Sequence, residues 1–436
     1  MSALYQLTKE FNKLNEDTVI VCYEKQSTWG GHWNLQIPSE NVRFKEAMHS
    51  AMYKHLWSNS PKECLELPDY TFYHHFGKAV PSFPPREVLR DYMEGRWKQS
   101  QCDLFKLVNG DTLVKNVTYN DSDDTFSVTT SRVGDNRTAT QIFSHVIVAV
   151  GRYTTPNVPK FTGVESFPGR IIHSRDFRNP VDFRNQRILV VGASYSAEDI
   201  ALTCSKFGAK RVTVSWLTSP IGHRWPEGIS ERPLVKHIDG NRILFKDGHI
   251  EEVDSIIWCT GYIAEFPFME SRLAPNPTQV VYPKGLYKGM VWTGCNTNKL
   301  FYMGIYNLLY TFPVFDLQAL WISRYIMNAI PNEPRPLSDM ILHIEEQFIK
   351  TSGLKSFYDY LDYQALVINM LCTDTGYTKE ILKFDDLFRT WLRQRYDDIL
   401  THRNHCYRSV FTGTMSAKPN TPWWEARDDS KEAFLR

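Results

Sequence analysis

Residues 187–216 read RILVVGASYSAEDIALTCSKFGAKRVTVSW. Residues 188–191 form a short apolar run suited to a buried strand. Residues 192–197 are small, residues 198–207 have helical character and stop at Gly208, and residues 212–216 give a second strand. The turn Gly192-Ala193-Ser194-Tyr195-Ser196-Ala197 has the form G-x-S-x-x-A. In a dinucleotide-binding unit the first glycine permits the tight turn, and a small final residue lets the helix close on the strand. Phosphate then rests on backbone N–H groups at the helix N-terminus. Ser194 replaces a glycine, which widens the turn slightly and offers a hydroxyl to the phosphate. An ordinary strand–helix turn of small residues is the alternative reading. The second strand runs into Ser215, Trp216, Leu217 and Thr218 without a carboxylate to select a free ribose 2′-hydroxyl, which leans toward NADP.

A second unit of this kind opens the chain, incompletely. Ala3, Leu4, Leu7, Phe11 and Leu14 line one face of a helix, and residues 18–23 form a strand that ends at Glu24. An acid at that point normally holds a ribose hydroxyl, about 20 residues beyond a Gly-x-Gly-x-x-Gly turn. The helix, strand and acid are present, and the glycines are not. A glycine just ahead of Met1 would put Glu24 near the expected spacing. The expectation is therefore a chain shortened at its N-terminus, with a weakened first nucleotide site and an open sheet position prone to aggregation. Two units imply two nucleotides.

The 436 residues exceed one typical core, so two or more domains, or one inserted in another, are expected. A net charge of +1 without long charged runs gives no footprint for nucleic acid. Eight cysteines without a C-x-x-C pair argue against zinc ribbons and disulfide frameworks, and fit a reducing, cytoplasmic setting. Lys9, Glu10, Lys13, Glu16 and Asp17 interrupt any signal peptide. The apolar stretch 308–322 contains Pro313 and Asp316 and is too short to span a membrane. Three blocks follow. The first ends in a buried strand at 145–150, the Pro- and Gly-rich stretch 156–180 reads as a linker, and the G-x-S-x-x-A unit comes next. Residues 253–259 form a strand running into Thr260, Gly261 and Tyr262, and Asp247-Gly248 marks a hairpin. From about Phe301 the chain reads as helical, with Trp391, Leu392 and Tyr396 at helical spacing, and its last thirty residues are irregular. The fold class is α/β.

Three further segments carry chemistry. In Trp29-Gly30-Gly31-His32-Trp33 a glycine pair lets backbone approach a flat ligand between indoles. In Trp57-Ser58-Asn59 a loop carboxamide can donate and accept. Phe167-Pro168-Gly169-Arg170-Ile171-Ile172-His173-Ser174-Arg175-Asp176-Phe177 joins the two units. Singly these read as a turn, a loop amide and a linker. Together they resemble the flavin-containing monooxygenases, and most closely their soluble bacterial branch. Residues 167–177 fit that family's pattern F-x-G-x-x-x-H-x-x-x-[F/Y], and Phe177 separates it from the Baeyer–Villiger enzymes, which usually place Trp there. Tyr23-Glu24-Lys25, residues 56–59, 195–199, 259–262 and the tail from Tyr407 to Trp423 extend the resemblance across the chain.

The resemblance implies two Rossmann-like dinucleotide-binding domains, an NADP domain (156–300) inserted into an FAD domain (1–155 and 301–436). It implies that Glu24 holds the FAD ribose, that Gln26, Gly31, His32, Trp33, His49 and Trp57 line the flavin, and that Gly192, Ser194, Tyr195, Ser196, Thr218, Thr260 and Gly261 hold NADP. Asn59 is then the active-site amide. The implied chemistry is hydride transfer from NADPH to FAD, then O2 addition and passage of one oxygen from a flavin hydroperoxide to a tertiary amine or a sulfide. No membrane span or nucleic-acid partner is implied, and a homodimer is. Leu217 stands where that branch has an arginine for the 2′-phosphate, leaving Arg224 or Thr218 to compensate. His223 replaces a tyrosine near the oxygen site, as a hydrogen-bond donor or a surface residue. Tyr306 replaces a flavin-contacting glutamine. The other reading is a non-catalytic NADP-binding remnant without flavin.

Overall fold

In the computed structural model, residues 1–12, 18–35, 51–153, 155–276, 281–306 and 308–436 are described. The quoted stretch folds as expected, into the strand Arg187–Val191, the helix Tyr195–Lys206 and the strand Arg211–Trp216. These belong to a five-stranded sheet ordered Ile229–Pro233, Arg211–Trp216, Arg187–Val191, Ser255–Trp258, Arg170–His173, all parallel. Both faces are covered, which is why Leu189, Val190, Ile256 and Ile257 run as continuous buried apolar residues rather than alternating. The helix covers one face with Ala197, Ile200, Ala201 and Cys204. An antiparallel meander (Val235–Asp239, Arg242–Phe245, Ile250–Glu252) covers the other through Val235, Ile238, Ile243 and Phe245. Its hairpin turns at Gly248, with φ +85°.

The sequence reading of 156–180 as a linker is corrected, because Arg170–His173 is the edge strand of this sheet. Four residues between Gly169 and a polar run carry little periodic signal, and the strand exists because Ile171 and Ile172 pair with the buried Ile256 and Ile257. The monooxygenase-like pattern 167–177 is thereby a set of packing requirements. Phe167 packs into the meander cluster, and a Cβ on Gly169 would lie 2.2 Å from the Asp254 carbonyl oxygen. His173 bonds the Gly261 carbonyl at 3.1 Å, and Phe177 is fully buried against Tyr53 and Phe183.

The chain's first part begins with the helix Ser2–Phe11, of which Leu4 and Leu7 are buried as expected. Leu14 lies outside the described residues. Gln6 is buried too, and its amide donates to both oxygens of Asp316, which Arg96 also grips at 2.9 and 3.0 Å. Asp316, Arg96 and Gln6 thus staple this helix to the helices Arg86–Lys98 and Thr311–Ile326. The strand expected at 18–23 is shorter, Cys22–Tyr23, and pairs in parallel with Val108–Asn109. Val146–Val148 lies in a different sheet, parallel to Leu300–Tyr302. Tyr23 nevertheless packs in the same hydrophobic cluster as Val148 and Tyr302. An antiparallel meander, Thr112–Asn120, Thr125–Arg132 and Thr138–Phe143, connects the two pieces in sequence.

The C-terminal region is helical, with Thr311–Ile326, Leu337–Ser352, Phe357–Thr375 and Phe384–Asp397 around a second core that contains Trp321, Trp391 and Leu392. The expected helical face is only partly internal, since Tyr396 is half exposed. The irregular tail runs back across the molecule, and Trp423 and Phe434 join the core shared by the first helix and the parallel sheet. Among the described residues no helix is long and apolar enough to cross a membrane.

Candidate active site

Gly192 sits at the carboxyl end of the central strand with φ +134°, and a Cβ there would lie 2.2 Å from the Cys259 carbonyl oxygen. Its N–H donates to Ser215 O at 2.8 Å, while Cys259 N–H donates to Val191 O at 2.8 Å. The turn therefore threads between two neighbouring strands, at the point where the strand order reverses and ligands of open α/β sheets bind. Ala193, Ser194 and Ser196 are exposed around it. Ser194 begins the Tyr195–Lys206 helix without a side-chain cap, so its hydroxyl does not close the N-terminal amides. This is a cradle that fits a pyrophosphate. Thr260 and Gly261 follow the adjacent strand. The Thr260 hydroxyl donates to Asn157 O, and Gly261 has φ +82° with open space where a Cβ would lie. Beyond the next strand Leu217 is 70% exposed, and Thr218 and Arg224 are exposed as well.

The residues expected to line a flavin follow the first helix in sequence. One Glu24 oxygen accepts from the Gln26 N–H at 2.8 Å, and the Glu24 N–H donates to Asn109 O at 3.0 Å. An acid held at the end of a strand suits a ribose hydroxyl. Gly30 and Gly31 both have positive φ and open a 3-10 turn, Gly31–Trp33, with free space at the Gly31 Cβ position. His32 is exposed and lies against Trp33 and Tyr153, and Trp33 is edge-on to Phe312. Trp29 turns inward onto Trp97 at 4.8 Å. His49 lies outside the described residues. The residues present fit two dinucleotides.

Asn59 is exposed at the tip of an anchored loop. Trp57 is buried and bridges to Pro85, Ser58 N–H donates to Pro84 O at 2.9 Å, and Arg403 Nε donates to Ser58 O at 3.3 Å. The carboxamide is thus carried on fixed backbone. Tyr306 is buried, with its hydroxyl on Tyr363 at 2.6 Å, inside the C-terminal core.

His223 is not a surface residue. It is 7% exposed, and its Nε2 lies 2.7 Å from Glu198, whose carboxylate is also gripped by Arg395. Burial raises the Glu198 pKa, but the His223 hydrogen bond and the Arg395 charge outweigh it and hold the carboxyl below its ordinary value. Its stabilising contribution is therefore present above the unfolded carboxylate range and is lost as pH falls through the depressed folded pKa. Denaturant unfolding of the wild type is expected to weaken as pH drops from about 5 to below 4. Glu198→Gln should flatten part of that slope, and an unchanged slope would refute the assignment.

Asp199, beside Glu198, is the residue that sequence reasoning left without a role, together with its partners Arg403 (2.7 Å) and Tyr53 and with Arg395. Partners 146, 197 and 204 positions away leave no local signal.

Comparison with known proteins now decides the family. A profile described as flavin-binding monooxygenase-like matches residues 8–224 and 227–384. The chain belongs to the flavin-binding monooxygenase-like family. It is 39% identical to a trimethylamine monooxygenase of Pelagibacter ubique (strain HTCC1002), over 99% of this chain and 95% of that one. It is 40% identical to a trimethylamine monooxygenase of Roseovarius sp. (strain 217), over 96% and 92%. The crystal structure of Tmm from Pelagibacter sp. strain HTCC7211 superposes with a TM-score of 0.94 at 36% identity, covering 99% of this chain and 97% of that one. The protein is a flavin-dependent monooxygenase of two-dinucleotide α/β fold, with FAD and NADP as its cofactors.

Proposed function

We propose that this monooxygenase uses NADPH and O2 to oxygenate the nitrogen of a small tertiary amine, trimethylamine first, and accepts sulfides as secondary substrates. The observation that carries this reading is the 39–40% identity to trimethylamine monooxygenases over 96–99% of the chain. FAD, when bound, supplies the redox and oxygen-transfer chemistry, which the protein orients and keeps dry. In this reading the Gly192, Ser194, Tyr195 and Ser196 turn holds the NADP pyrophosphate, with Thr218, Thr260 and Gly261 along the nucleotide. Glu24, Gln26, Gly31, His32, Trp33, His49 and Trp57 hold the FAD. Asn59 presents its amide between flavin and nicotinamide, where it can both donate and accept. The NADP unit is 156–300, inserted between 1–155 and 301–436. Eight free thiols suit a cytoplasmic setting, and the working form is a homodimer.

With FAD supplied, trimethylamine is expected to accelerate NADPH oxidation and O2 uptake and to yield its N-oxide. Asn59→Ala should lower that rate by about 10²-fold. Light scattering on the same sample should give twice the chain mass. NADPH oxidation that is indifferent to amine and to sulfide, with no oxygenated product, would reject the proposal.

A further inference from the structure

The N-terminal part of the Tyr195–Lys206 helix carries two adjacent buried acids, Glu198 in its first turn and Asp199 after it, and each is bound by an arginine from after Phe384. Glu198 accepts from Arg395 Nε at 3.0 Å, from its Nη2, and from His223 Nε2 at 2.7 Å. Asp199 accepts from Arg403 Nη2 at 2.7 Å and from the Tyr53 hydroxyl. The Arg395 guanidinium also lies 4.6 Å from the centroid of the Tyr195 ring, and Tyr195 is the first residue of the helix. At the other end of the helix, the Lys206 ammonium donates to Trp423 O and sits 4.6 Å from that indole. The C-terminal segment thus holds both ends of the nucleotide helix.

Packing alone does not require this arrangement. Ile200, Ala201, Leu202 and Cys204 already seat the helix, each at most 1% exposed. Buried ion pairs are weak stabilisers compared with apolar replacements, but they fix geometry. Arg395 is the group that joins an acid on the helix to the ring of the turn itself, and its planar fork suits both contacts.

We propose that Arg395 is a positioning residue for NADP: through Glu198 and Tyr195 it fixes the Gly192-to-Ser196 turn on the flavin half, so that the dinucleotide is presented in one orientation. The proposal rests on the reading of that turn as the NADP site. Removing the arginine leaves the sheet and glycine intact but frees the turn to rotate against the C-terminal helices. Affinity for NADP then falls even where the fold is sound.

The test is calorimetric titration of NADP+ into wild type, Arg395→Met, Arg395→Lys and the double variant Glu198→Gln/Arg395→Met, with thermal unfolding of each without nucleotide. Arg395→Met should weaken NADP+ binding about tenfold or more. The double variant, which leaves no unpaired buried charge, should recover the unfolding temperature but not the affinity. Arg395→Lys keeps the charge and loses the fork, and should fall between. If affinity and unfolding temperature recover together in the double variant, Arg395 is merely structural and the inference is overturned. Wild-type affinity in Arg395→Met or, if that variant does not fold, in Arg395→Lys overturns it equally. Wild-type protein that binds no NADP+ would overturn both this inference and the reading of the turn.

Discussion

Glu24→Ala is expected to lower the affinity for FAD about tenfold or more while the fold is kept. An acid at the end of the strand that follows the first helix of a dinucleotide unit holds a ribose hydroxyl, and a charge-assisted hydrogen bond is worth about 1.5–3 kcal/mol, a factor of about ten or more in affinity. The backbone around this carboxylate is fixed: one Glu24 oxygen accepts from the Gln26 N–H at 2.8 Å, and the Glu24 N–H donates to Asn109 O at 3.0 Å. Flavin absorbance after dialysis at equal protein concentration reads the result, and urea unfolding of both proteins checks that the fold is kept. Equal flavin in wild type and variant would remove Glu24 from the flavin site.

Gly192→Ala is expected to cost about 2–6 kcal/mol of stability and to abolish NADP+ binding at any accessible concentration. A side chain at positive φ costs about 1–3 kcal/mol, and overpacking adds about 1–3 kcal/mol. Here the new methyl would meet backbone, the Cys259 carbonyl oxygen at 2.2 Å, and cannot be relieved by a rotamer change. The carboxyl ends of Arg187–Val191 and Ser255–Trp258 would have to separate at the proposed phosphate site. Gly261→Ala is the control, because Gly261 has φ +82° but nothing within 4 Å of its Cβ position. It should show the conformational cost alone, about 1–3 kcal/mol. Urea unfolding and NADP+ titration of the two variants separate the effects, and equal losses would rule out the contact with Cys259 as the cause.

Local patterning was sufficient where the chain makes its own structure. The small residues after 188–191 predicted the turn, Asp247-Gly248 predicted the hairpin, and the spacing of Leu4 and Leu7 predicted the buried face of the first helix. The family was legible as well, because 167–177 combines a close backbone approach at Gly169, a histidine bound to a carbonyl and a buried phenylalanine. The same stretch misled as a linker, since a four-residue edge strand among Pro and Gly takes its stability from its neighbour in the sheet.

What the sequence by itself determined is therefore the α/β class, the strand–turn–helix at 187–206 and the monooxygenase family, all written in residues close together along the chain. Only the tertiary structure decided the placement of His223, buried on Glu198 rather than at the surface, and of Tyr306 inside the C-terminal core. Only it showed that Arg395 and Arg403 secure the Tyr195–Lys206 helix. The physical reason is range. Backbone propensity and hydrophobic periodicity act over a few residues, whereas the partner of a buried charge is selected by where the whole chain brings it.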